Sequence, residues 1–139
     1  MDNRFYLLVI AIPILVFFAV RSRKKNSLVN EKKTQLKNLY KREAIFLCDA
    51  ADDLGDNLIQ FYGEPFGTSV RPGMKISDPS SVEYTIKEVY ANDKTPDKPD
   101  IEIPNGMTNT AIVIETNNFN WQSFRQNIKR ENVVALKLR

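Results

Sequence analysis

The sequence predicts an α+β protein: an N-terminal single transmembrane helix, a long amphipathic helix, then a small, mostly antiparallel sheet with a second helix. Three observations predict it. Residues 5–20 are uninterrupted by charge, apolar residues recur at steps of three and four from Leu36 to Phe61, and residues 82–90 alternate apolar with polar. The resulting division is 1–26 for the anchor and its basic flank, 27–65 for the amphipathic helix, and 66–139 for the sheet-rich remainder of one domain.

The anchor reading rests on length and composition. Twelve of the sixteen residues from 5 to 20 are Leu, Ile, Val or Phe, with Phe5, Leu8, Ile12, Leu15, Phe18 and Val20 typical of the run. As a helix the run spans about 24 Å, against a hydrocarbon core of roughly 30 Å, so Arg4 and Arg21 would complete the crossing by extending their stems. Insertion of so many branched and aromatic residues is worth on the order of −5 kcal/mol. The leading residues carry no net positive charge, which argues against a cleavable signal. Arg21, Arg23, Lys24 and Lys25 follow immediately, and this asymmetry places the larger domain on the cytoplasmic side, with those four cations orienting the chain against anionic headgroups.

Charge is segregated behind a net +3. Residues 21–42 hold nine Lys or Arg against Glu31 alone, whereas residues 43–102 hold thirteen acids against five bases. The basic block belongs to one segment, so the alkaline pI is not a footprint of nucleic-acid binding. Lys32, Lys33, Lys37, Lys41 and Arg42 read as the solvated side of a helix.

Tyr40, Ala44, Leu47, Ala51, Leu54, Leu58 and Phe61 keep the helical spacing, which predicts a helix starting near Ser27 or Asn30 and stopping at Gly63 and Pro65. These seven positions form its packing face, toward the chain's own sheet or, through Ala44 and Ala51, toward a second copy. Beyond it, residues 82–90 form a strand with one wet face. Shorter strands fit residues 74–76, 101–103 and 111–115, and residues 91–100 are too polar and proline-rich for anything but a loop. A second helix over 121–131, capped by Asn118 or Asn120, buries Trp121, Phe124 and Ile128, and a strand over 133–138 ends the chain.

Little in the chain carries chemistry. It has no histidine, which removes the commonest general base and metal ligand. Cys48 is the single cysteine and reads as a buried structural thiol, so no disulfide or zinc site can form within one chain. No cofactor motif is present.

The acidic stretch with Asp49, Asp52, Asp53 and Asp56 contains a DDxxD spacing that resembles the magnesium-diphosphate motif of isoprenoid synthases. The resemblance spans five residues and implies at most a small metal-dependent membrane enzyme; a solvent-facing stripe that docks a basic partner or the chain's own Lys and Arg block is the plainer reading. The order of apolar start, continuing helix and sheet is similar to type IV pilins and implies a filament subunit. The pilin glycine and glutamate are replaced by Arg4 and Val9 when Phe5 is taken as the first mature residue.

The expectation drawn from these readings is a non-catalytic, single-pass, membrane-anchored structural or scaffold protein. Its partners are a lipid bilayer and other protein subunits of an assembly, with a homo-oligomer open and nucleic acid disfavoured. A minor virion protein linking a capsid to an internal membrane, or an accessory subunit of a membrane complex, fits that description.

Overall fold

The computed structural model describes residues 3–91 and 98–139, and within the first helix it describes side chains from Val16 onward. Helix α1 (Asn3–Leu39) is followed by strands β1 (Ile45–Gly55), β2 (Leu58–Phe66), β3 (Lys75–Ser77), β4 (Glu83–Ala91) and β5 (Thr110–Glu115). Helix α2 (Trp121–Glu131) and strand β6 (Val134–Leu138) complete the chain. The strands close into an antiparallel barrel in the order β1-β2-β5-β4-β3-β6, with β6 returning to β1.

The amphipathic helix expected over 27–65 does not exist beyond Leu39. Residues from Ile45 to Phe66 form a β-hairpin instead, with Ile45 opposite Phe66 and Gly55 opposite Leu58. Two residues join its strands, Asp56 at φ 52° and Asn57 at φ 62°, both in the left-handed region that tight hairpin turns require and that Asp and Asn tolerate. The expected packing face is therefore dispersed. Leu47, Ala51 and Leu54 lie on β1, Leu58 and Phe61 lie on β2, and Tyr40 and Ala44 lie in the connection after α1.

The misleading spacing has a physical origin in how β1 is covered. Phe46 and Cys48 face the barrel interior with Ile59, Phe61, Ile86, Ile112, Ile114 and Leu136. Ile45 and Leu47 belong to a second cluster with Val133, against which Val29, Leu36 and Tyr40 of the α1 side are packed. Both faces of the strand are dry, so its first four residues are all apolar and show no alternation.

Elsewhere the local signals agree with the fold. α2 occupies the range its spacing predicts, and the Asn120 side chain accepts a hydrogen bond from Ser123 N at 2.9 Å. β4 shows the expected alternation of exposed and buried residues. Residues 101–103 contribute only an isolated bridge between Val70 and Ile103. The expected 91–100 loop includes residues 92–97, which lie outside the described residues.

The membrane expectation is also corrected: among the described residues no helix is long and apolar enough to cross a membrane. The side chains of Phe5, Leu8, Ile12 and Leu15 lie outside the described residues. Phe18 and Val20 stand exposed on a helix that continues unbroken through Arg21, Arg23, Lys24 and Lys25 to Leu39. The uncharged run is about 6 Å shorter than a bilayer core, and the helix it belongs to is charged for half its length. The single-pass assignment, the cytoplasmic orientation and the virion or membrane-complex roles fall with it.

Close approach of the first two strands makes one glycine indispensable. A Cβ at Gly63 would lie 1.9 Å from the carbonyl oxygen of Leu47. Gly63→Ala should lose about 2–4 kcal/mol of stability in urea unfolding, because the hairpin must open to admit the methyl. An unchanged midpoint would mean that the two backbones are further apart.

Candidate functional site

Three lysines, read from the sequence as solvated, fasten α1 to the barrel. Lys33 Nζ lies 3.1 Å from Asp49 on β1, Lys37 Nζ lies 2.6 Å from Glu64 on β2, and Lys32 Nζ lies 2.7 Å from Glu131 on α2. Glu64 is the most consequential partner, its side chain being only 5 % exposed. Its Oε1 makes no aligned hydrogen bond, so Lys37 meets it as an ion pair, with the ammonium also 5.7 Å from the centre of the Phe66 ring. Val29, Leu36 and Tyr40 recur at steps of seven and four alongside these lysines. That spacing is the sequence signal by which the docked face could have been found.

Docking α1 beside α2 leaves a groove of about 470 Å³ between α1, α2, β6 and the β3–β4 turn. Leu36, Tyr40, Val133 and Ala135 give it an apolar floor. Lys32, Arg130, Lys137 and Arg139 line it together with Asp78, Glu83 and Glu131, so both signs of charge converge. Several of these are already paired: Arg130 Nε is 3.0 Å from Glu131 and Arg139 is 3.9 Å from Glu83. Asp78 Oδ1 accepts a hydrogen bond from Val82 N at 3.0 Å, and the Tyr84 hydroxyl donates to its other oxygen at 3.4 Å. Burial, reinforced by that carboxylate, raises the Tyr84 phenol above its ordinary value.

The acidic stretch takes a different form from the one expected. Asp49, Asp52 and Asp53 lie along β1 rather than on a helix, and Asp56 occupies the hairpin turn. Asp49 is held by Lys33, and Asp53 Oδ1 accepts a hydrogen bond from Gly55 N at 2.9 Å. Among the described residues no group of three or more His, Cys, Asp or Glu is placed to hold a metal ion. The metal-enzyme alternative is thereby corrected, because a strand sends successive carboxylates to opposite faces. The pilin-like alternative is corrected by the closed barrel behind α1.

Cys48 is fully buried, and its Sγ lies 3.2 Å from the carbonyl oxygen of Ala50. Burial, then the charge of Asp49, push its thiol well above the ordinary cysteine value, so it presents no thiolate. Tyr90 is also perturbed. Its hydroxyl donates a short hydrogen bond to Glu88, which together with partial burial pushes its pKa up to about 12.

Two measurements probe this arrangement. Lys37→Met strands a buried carboxylate and should cost about 1–3 kcal/mol, discounted for the partial exposure of Lys37, whereas Lys33→Met, which leaves the more exposed Asp49 carboxylate within reach of water, should cost under about 1 kcal/mol. Equal losses in urea unfolding would contradict the difference in burial. The hydrogen bond and charge of Lys32 hold the Glu131 carboxyl below its ordinary value of 4.5. A lowered carboxylate stabilises the fold above its unfolded value and loses that contribution as pH falls through the folded one. NMR titration should therefore find Glu131 titrating below 4.5 and moving upward in Lys32→Ala; identical titrations would remove the α1–α2 link.

No protein-family model matches this chain, and neither the curated proteins nor the solved structures offer a match to it.

Proposed function

We propose that this chain is a non-catalytic binding module that contacts another protein subunit through the groove between α1, α2 and β6. The observation that carries the reading is the composition of that groove: a floor of Leu36, Tyr40, Val133 and Ala135 under a rim bearing four cations and three carboxylates. Concave apolar surface with a few convergent polar groups is where ligands settle, and a rim of mixed sign suits a polypeptide segment carrying both charges. The volume of about 470 Å³ accommodates a few side chains.

A non-catalytic role is supported by what the described residues offer. The chain has no histidine, its cysteine is buried, and the barrel interior is filled by Phe46, Phe61 and a set of Ile and Leu side chains. Site-specific photocrosslinking tests the reading. A photoreactive residue at Asn127 in the groove should give a discrete protein adduct, which Ala135→Trp, filling the floor, should abolish. A probe at exposed Glu115 on β5 should give none. Absence of an adduct at Asn127, or equal adducts at both positions, would overturn the assignment.

A further inference from the structure

The end of the molecule to which α1 and the first hairpin both extend carries two prongs of opposite charge. α1 and β1 run antiparallel: Lys33 meets Asp49, Lys37 meets Glu64, which pairs with Leu47, and Tyr40 packs where Ile45 begins the strand. Moving back along α1 and forward along β1 therefore leads in the same direction. From Lys33 to Val20 the helix rises about 20 Å, and from Asp49 to Gly55 the strand advances about 20 Å, so the basic segment of α1 stands level with the hairpin tip, and the helix continues past it to Asn3.

The helical prong carries Arg21, Arg23, Lys24 and Lys25 behind exposed Val16, Phe17, Phe18 and Val20. The hairpin prong carries Asp52, Asp53 and Asp56 around exposed Leu54. Among the described residues no ion pair joins these two sets of charges within the chain. Lys33–Asp49 is the outermost pair between helix and hairpin, and every residue from 16 to 28 is exposed. Each prong is thus complementary to the other in charge and in apolar content without being covered by it.

We propose that a second copy of this chain supplies the cover, in a two-fold dimer in which each copy's basic helical segment lies against the other's acidic hairpin tip. Because each copy carries both prongs at one end, a two-fold axis across that end makes two equivalent contacts and leaves no open surface for a third copy. Parallel pairing of the helices alone would instead bring like charges together, four against four. The proposal is independent of the groove, which lies between α1, α2 and β6.

Charge reversal with rescue tests it. Sedimentation velocity of the full chain should show a dimer at low ionic strength that weakens as salt rises. Asp52→Lys combined with Asp53→Lys, and separately Arg23→Glu combined with Lys24→Glu, should each weaken self-association about tenfold or more. An equimolar mixture of the two variants should recover dimer, since each then offers the charge the other lacks at both contacts. Thermal melting of each variant establishes that the barrel is folded. A monomeric wild-type chain, self-association unaltered by either reversal, or a mixture that fails to recover dimer would overturn the proposal. So would a wild-type chain that stays monomeric in buffer and partitions wholly into phospholipid vesicles.

Discussion

The contact on which the rest of the structure depends is the seating of the C-terminal half of α1 on the outer face of β1. Ile45 and Leu47 point away from the barrel interior, and Val133 lies beside them just before β6. Left open, each would expose a large apolar side chain at a cost of about 1.5–3 kcal/mol. Val29, Leu36 and Tyr40 cover them, and the Lys37–Glu64 pair fixes where the helix lies, because a buried carboxylate without its cation is costly. Apolar burial supplies the attraction, and the lysines supply the position.

Other features follow from that seating. The strand under α1 is also the strand that closes the barrel through four residue pairs with β6, so the helix reinforces the seam where first and last strands meet. Closure removes the free edges that an open sheet of the same length would present. α2 packs beneath the barrel through Phe124 and Ile128, and Lys32 joins it to α1 through Glu131. The groove is the space these three elements leave, and its floor is built from the same residues that seat the helix. Its shape is consequently tied to the ion pairs around it.

How much of this was legible in the sequence depended on whether one face of an element is wet. β4 and α2 each have a solvated side, and their alternation or three-and-four spacing identifies them to within a residue or so. β1 has no solvated side over its first four residues, so its pattern carried no period of two, and a chance run of helical spacings across the turn filled the gap. The turn itself offered a signal, Gly55-Asp56-Asn57 before a strand of alternating burial, that local turn chemistry could have weighted above the longer pattern. Closure was out of reach, since it depends on β1 pairing with β6 across about ninety residues and on a β3 of only three residues bridging β4 to β6. The groove was equally hidden. Its lining comes from three separated stretches, and Lys32 and Lys137 look like ordinary surface lysines until their acids are placed beside them.

Native-state hydrogen exchange across α1 tests the central claim most directly. If the helix from Val29 to Leu39 is part of the barrel's cooperative unit, its amides should exchange at the same free energy as those of β1, while residues 16–25 exchange far faster in dilute monomer. Uniform exchange along the whole helix, or protection of 29–39 well below that of β1, would show that the helix is an appendage and that the seam stands without it.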